Sequence, residues 1–404
     1  MTPQIAPRRI ALFFYNMGGP ATGSEVEPFL RALFSDNDLL GMPVLQVLQN
    51  RIARRIARRR TPDISHKYGE IGGGSPQLAI TESLTNKVVR NLAQPGHLPE
   101  GWAVVHSGPL MRYTKPGAAE AYDAALAAGA DEIWLVSQYP HCARATTGSS
   151  LRDCALTLNQ RAAAGRDGPP PVKVRSLASY GDDPAFHDLW AQRLRRAWQD
   201  LNPSSRHLIA SAHNLPISYI AGGDPYRDQI DRCARQTLAR LGLREGRDWT
   251  LAWQSAVGPV RWMDPDTRDV IRSLAARGVR EVLVWPLAFV SDHIETLHEV
   301  DIEFADMAKS AGLAVFRRVP NFNDDEDFVT FMTQKIAHAA QDISNHTHSL
   351  AARALDEWPS GEGCHRQPGG CLCGRYWLAG RAGRKRGVAP MRLQPSHPPA
   401  EVHS

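Results

Sequence analysis

Eight short runs of apolar and β-branched residues punctuate this chain, with longer stretches of helical spacing between them. The runs are residues 10–15, 103–106, 132–137, 172–176, 207–210, 250–253, 281–285 and 313–317. Strands separated by helices pair in parallel, because each must cross over a helix before it returns to the sheet. Such a sheet is covered on both faces, so its strands read as continuous apolar runs. The runs form two groups of four, with a break near residues 175–183. The expected fold is α/β, with two similar doubly wound halves, each a four-stranded parallel sheet flanked by helices. The expected boundaries are 1–175, 176–343 and an extension at 344–404. A chain of 404 residues is long enough for two ordinary cores.

Open sheets of this kind bind ligands beyond the carboxyl ends of their strands. One such end leads into Ser291-Asp-His-Ile-Glu-Thr-Leu-His-Glu-Val-Asp-Ile-Glu. Ser291 and Asp292 are helix-capping types. Glu295, Glu299 and Glu303 then recur at every fourth position, which lines three carboxylates along one helix face. His293, His298 and Asp301 lie among them, and residues 286–304 contain no Lys or Arg. An acidic row is most often a solvated face. Here the missing cations, the two histidines and the strand end favour a path for a divalent cation or for protons. An α-helix over-rotates by about 40° in four residues. A straight row therefore calls for local widening towards a π-helix. Elsewhere, Ser211-Ala-His213-Asn-Leu-Pro closes the fifth run. An imidazole at that position can accept protons near neutrality. No Gly-x-Ser-x-Gly turn and no triad pattern accompanies it.

Gly72-Gly-Gly-Ser75 is neither a Walker loop nor a dinucleotide fingerprint. Its glycines let backbone approach a ligand, and Arg60, Tyr68 and Ser75 around it suit a carboxylate. Residues 38–48 are apolar and precede the basic stretch 51–60. They fit a core helix and an apolar lip over a greasy ligand or membrane equally well. Net charge is only +5, concentrated at 51–60 and 381–386, which gives no reason to invoke nucleic acid. No run is long enough to span a membrane, and the apolar start at residues 10–14 is too short for a secretion signal. Three of six cysteines, Cys364, Cys371 and Cys373, crowd together late in the chain. That spacing suggests metal chemistry in a reducing, cytoplasmic setting rather than disulfides. Zinc is one occupant, with His365 completing the set. Beyond residue 373 the composition predicts little fixed structure.

Long motifs now accumulate in one order: Tyr68-x-x-Ile-Gly-Gly-Gly-Ser-Pro, Met111-Arg-Tyr, Tyr139-Pro, Thr146-Thr-Gly-Ser-Ser, Ser211-Ala-His-Asn-Leu-Pro, Gly223-Asp-Pro-Tyr, Trp253-Gln-Ser-x-Val-Gly-Pro and Phe289-Val-Ser-Asp-His-Ile-Glu-Thr-Leu-x-Glu. Together they resemble the ferrochelatases, over almost the whole chain to about residue 340. The resemblance implies insertion of ferrous iron into a porphyrin, bound in a cleft between the two domains, during haem synthesis. Protoporphyrin IX is the expected substrate. The alternatives are coproporphyrin III, another tetrapyrrole or metal, or a porphyrin carrier without chemistry. By the same resemblance, His213 accepts pyrrole protons or meets the metal. Glu295 lies opposite it, with Asp292, His293 and Glu299 along the acidic path. Arg112 and Tyr113 flank the metal's approach. Arg60, Tyr68 and Ser75 hold propionates, Trp262 and Phe289 face the macrocycle, and Leu39, Leu40 and Met42 form the lip. Peripheral contact with the inner face of a membrane and a homodimer are both compatible with these motifs. Asn214 departs from the family, which often has Ser there.

Some ferrochelatases carry a 2Fe-2S cluster on three C-terminal cysteines and one from the N-terminal half. The resemblance favours that cluster over zinc for Cys364, Cys371 and Cys373. The position matching the animal enzymes' internal cysteine is Arg144, so the fourth ligand falls to Cys154 or, next, Cys142.

Overall fold

The computed structural model describes residues 7–40, 46–164, 172–344 and 353–354. All eight expected strands form: β1 (Arg8–Asn16), β2 (Trp102–Met111), β3 (Glu132–Ser137), β4 (Lys173–Leu177), β5 (Arg206–His213), β6 (Trp249–Gln254), β7 (Glu281–Pro286) and β8 (Val315–Arg318). The first sheet has the order β2-β1-β3-β4 and the second β6-β5-β7-β8, so one topology is used twice. Every pairing among these eight strands is parallel. A ninth strand, β9 (Arg353–Ala354), was not expected; it adds antiparallel to β4 at the first sheet's edge. Two residues offer no readable pattern, and their partner lies far away in sequence.

The central strands β1 and β5 are buried along most of their length, as two-sided coverage requires. One core cluster spans both sheets. It includes Leu12, Phe14 and Trp134 from the first, Leu208, Leu283 and Trp285 from the second, and Trp190 from the helix Pro184–Gln199. Trp190 packs against Trp285 with ring centroids 5.5 Å apart. Each fully buried Leu or Phe in such a cluster contributes about 1.5–3 kcal/mol.

The last long helix among the described residues, Glu326–Ser344, packs against Gln77–Leu92 of the first half. The Ser83 hydroxyl (2.5 Å) and the Lys87 ammonium (3.0 Å) both hold the carboxylate of Asp324, just ahead of it. The helices Val26–Phe34 and Gln46–Glu70 pack together over Tyr113, with Ile294 against them. This contact brings the start of the acidic segment beneath the first half. Among the described residues, no helix is long and apolar enough to cross a membrane.

Candidate active site

Strands β6, β5 and β7 are neighbours, and their carboxyl ends deliver a cluster of polar side chains. His213 is the last residue of β5, and Gln254, its register partner, ends β6. The chain after β7 turns into a helix at Ile294, and residues Glu295–Phe304 are π-helical. The widening expected from the four-residue glutamate spacing is therefore present. It extends over ten residues, where such turns are usually single.

His213 Nδ1 lies 2.6 Å from the carbonyl oxygen of Asn214. A carbonyl only accepts, so Nδ1 carries the proton and Nε2 is left to face Glu295 Oε1 at 3.4 Å. The other Glu295 oxygen is 3.3 Å from His293 Nε2, and the His293 ring leans on Phe289 with centroids 4.5 Å apart. Burial disfavours the His213 imidazolium, but the Glu295 carboxylate outweighs it and raises its pKa to about 9. Reciprocally, burial alone would raise Glu295, and His213 and His293 hold it well below the usual carboxylate range. Sequence reasoning set these two residues on opposite faces of a planar substrate. At 3.4 Å no ring fits between them, since two van der Waals contacts need about 7 Å. They form a bonded pair instead.

The acidic row is also not unanswered. Its cations come from distant elements, which a local reading misses. Lys67 of the helix Gln46–Glu70 reaches Glu303 at 2.6 Å. His298 bridges Glu70 (2.7 Å) and Glu303 (3.4 Å). Arg318, at the end of β8, binds both Asp301 (2.8 Å) and Asp292 (2.9 Å). Glu299 has neutral donors instead: Gln254 Nε2 at 3.1 Å, the Ser255 N–H at 2.9 Å and the Ser255 hydroxyl. Burial, followed by the nearby Glu295 charge, raises the Glu299 pKa. Ser255 makes these bonds with φ at +67°, a left-handed conformation that costs a non-glycine residue strain. Gln254 and Ser255 were legible as polar residues at a strand end, yet their motif had no role assigned.

Asp292 departs from its expected place on a metal path. Its carboxylate accepts from Arg318, Asn321, Thr296 and Asn323, at 2.8 to 3.1 Å. Those bonds fix the loop ahead of the π-helix and leave little capacity for a cation.

Arg112 and Tyr113 follow β2. Asp36, which the sequence reading passed over, ties them down by accepting from Arg112 Nη2 and from Tyr113 Oη, each at 2.8 Å. Burial would raise Asp36, but Arg112 and the Ser149 hydroxyl keep its pKa below the ordinary value. Nearby, burial pushes Asp38 up to about 6 despite the Arg152 guanidinium. Arg144 contacts Asp38 (3.4 Å) and lies 4.8 Å over the Tyr219 ring, whose hydroxyl donates to the Leu39 carbonyl at 2.8 Å.

Tyr68 and Ser75 meet at the glycine loop. The Ser75 N–H donates to the Pro20 carbonyl at 2.7 Å. A Cβ on Gly74 would collide with the Ala21 carbonyl, and one on Gly19 would lie 2.6 Å from Ser75 Oγ and 3.4 Å from Tyr68 Oη. Glycine is needed at both positions for this approach. Burial raises the Tyr68 pKa, and Glu295 adds to the effect, which places the phenol within reach of the carboxylate's field. Arg60 lies 5.8 Å over the Phe34 ring. Asn214 has a clear role: its side chain pairs with the Met263 backbone at 2.9 and 3.0 Å and fixes the segment that carries Trp262. Leu40 ends the short helix Asn37–Leu40, while Met42 lies outside the described residues.

Cys364, Cys371 and Cys373 also lie outside the described residues. The two expected fourth ligands do not fit the part. Cys142 and Cys154 are buried in the apolar cluster on the first sheet with Phe13, Leu135 and Leu151. Burial pushes the Cys154 thiol up, away from the thiolate that a metal needs. No group of three or more His, Cys, Asp or Glu suited to a metal occurs among the described residues. Iron and acid-labile sulfide per chain are accordingly expected to be equal in the parent and in Cys154→Ser. A loss confined to the variant would make Cys154 a ligand.

Comparison with known proteins gives a consistent result. Residues 9–340 match the family profile described as Ferrochelatase. The ferrochelatase of Geobacter metallireducens is 37% identical over 333 residues, covering 82% of this chain and 98% of the relative. That of Gloeothece citriformis is 34% identical over 338 residues, covering 83% and 84%. That of Synechococcus elongatus is 37% identical over 329 residues, covering 80% of each.

Proposed function

From the premise that this chain belongs to the ferrochelatase family, lyases that insert iron into porphyrin, we propose that it converts protoporphyrin IX to protohaem, with His213 and Glu295 at the reacting centre. The observation that carries this reading is the contact between His213 Nε2 and Glu295 Oε1, at the meeting point of β5 and the π-helix. Two pyrrole protons must leave as a doubly charged ion enters. A paired base and carboxylate serve both exchanges from one side of the ring. His213 takes the two pyrrole protons in turn, releasing the first to solvent before it accepts the second, while Glu295 and His293 receive the positive charge and Glu299 continues the path outward. Ferrous iron is a substrate here, and imidazole with carboxylate suits it. Arg112 and Tyr113 border the approach.

Arg60, Tyr68 and Ser75 are proposed to hold the propionates. Trp262, Phe289 and the segment with Leu40 and Met42 are proposed to cover the macrocycle, and residues 38–48 to rest against a membrane surface. With apolar side chains covering the macrocycle as proposed, protoporphyrin, with two carboxylates, is favoured over coproporphyrin, with four. Side-by-side insertion assays are expected to favour protoporphyrin by about tenfold or more in kcat/KM. A preference for coproporphyrin would reassign the substrate, and binding of either porphyrin without metallation would indicate a carrier. The halves 1–175 and 176–343 are read as the two walls of the cleft. A 2Fe-2S cluster on Cys364, Cys371 and Cys373 is a separate proposal, with its fourth ligand sought away from Cys142 and Cys154. Colourless protein after anaerobic preparation would dismiss it.

A further inference from the structure

We propose that Arg144 and Tyr219 are positioning residues for the porphyrin: they pin the short helix Asn37–Leu40, so that it meets the macrocycle already in place. This rests on the reading that the segment with Leu40 covers the macrocycle, and it names what holds that segment.

A helix of four residues is a single turn. Such a turn is marginal alone, because nucleation costs more than one hydrogen bond returns. Its end carbonyls also lack partners within the helix. Here two of them are taken by side chains from separate parts of the fold. Arg144 Nη2 donates to the Asn37 carbonyl at 3.1 Å, and Tyr219 Oη donates to the Leu39 carbonyl at 2.8 Å. The Arg144 guanidinium lies 4.8 Å over the Tyr219 ring and 3.4 Å from the buried Asp38 carboxylate. Arg152 also holds Asp38, so the side-chain face of the turn has an anchor of its own. Helix carbonyls point towards the C-terminal end. Arg144 and Tyr219 therefore set the direction in which the chain leaves the turn.

Both residues are themselves fixed relative to the reacting centre. Arg144 opens the π-helical turn Arg144–Gly148 after β3, and its N–H donates to Asp224 at 2.8 Å. Asp224 also accepts from the Tyr226 N–H and donates its own N–H to the Tyr219 carbonyl at 3.1 Å. Tyr219 belongs to the helix Ile217–Ala221, which follows the strand that ends in His213. A closed circuit of bonds thus ties the Asn37–Leu40 turn to the chain that carries the base. A segment that the ligand must order lowers affinity. A turn held beforehand removes that cost without touching the chemistry, so its loss should appear in porphyrin affinity and not in kcat. A tie serving stability alone would show the reverse, a lower melting temperature with affinity unchanged.

The test is a fluorescence titration of protoporphyrin IX, and of its dimethyl ester, into the full chain without iron. Metallation kinetics and thermal melts accompany it. Tyr219→Phe, which removes only the hydroxyl, is expected to weaken binding of both porphyrins about fivefold. Arg144→Leu is expected to weaken both about tenfold or more, and Arg144→Lys to recover part of that loss. At saturating porphyrin, kcat should stay within about twofold of the parent, and melting temperatures within about 4 °C. Unchanged affinity in either Tyr219→Phe or Arg144→Leu would overturn the proposal. An Arg144→Leu effect seen with the free acid but absent with the dimethyl ester would make Arg144 a propionate ligand, and would overturn it too. A parent chain that binds neither porphyrin would sink the reading of the segment as a cover, and this proposal with it.

Discussion

Replacing His213 by Ala is expected to slow iron insertion by about a thousandfold while the melting temperature stays within about 4 °C of the parent. The loss follows from removing the base that ends β5, an interior strand of its sheet. No neighbour can substitute. His293 is bonded to Glu295 and to the Ser291 carbonyl, and Glu295 is held far from proton-accepting strength by the two imidazoles. The fold should survive because the strand is anchored by Ala212, which is fully buried, and by Asn214 through its pair with Met263. The variant forfeits the bond to the Asn214 carbonyl, worth about 1 kcal/mol, and the partly exposed pair with Glu295, whose contribution solvent screening keeps modest. Stopped assays of metalloporphyrin formation beside thermal melts would decide the matter. Parent-like turnover would remove His213 from the reaction.

Glu295→Gln should fail in a different way. The carboxylate is what raises His213 to about 9 against the effect of burial. With a neutral amide in its place, the imidazole pKa is expected at or below about 6.5, a fall that NMR titration of the ring protons can follow. The variant would then hold a neutral base at pH 7, yet insertion should still drop by about a hundredfold or more, because the carboxylate that receives charge is gone. In the parent, kcat/KM should climb with pH until about 9, as the imidazolium gives up its proton. The variant's residual rate should be flat from about pH 7. The pair also affects stability. His213 is raised, so its contribution is full below its ordinary value of 6.5 and fades as pH passes about 9. Glu295 is lowered, so its contribution is full above its ordinary 4.5 and fades on acidification. Both are half-buried, and solvent screening keeps the effect modest. A His213 pKa unmoved by Glu295→Gln would break the link on which this account depends.

Local pattern revealed a good deal of the molecule. All eight parallel strands were readable because strands buried on both faces are unbroken apolar runs. The π-helix was readable because three glutamates four apart cannot line up on an α-helix. What escaped was nonlocal. Lys67 and Arg318 answer the acidic segment from 236 and 26 residues away. Asp36 holds Arg112 and Tyr113 across 76 and 77 residues. The occupied state of Asp292, and the direct contact of His213 with Glu295, likewise depend on how separate elements meet. Spacing along one helix carries no record of such meetings.

The helix Glu326–Ser344 has a consequence for how the protein is made. It closes the core of the half that is synthesised first, against Gln77–Leu92, with Asp324 tethered to Ser83 and Lys87. A nascent chain that has completed β1 to β4 therefore still lacks one wall. The core of the first half cannot close until residues 326–344 have left the ribosome, so its folding waits on a segment made after every strand of the second sheet.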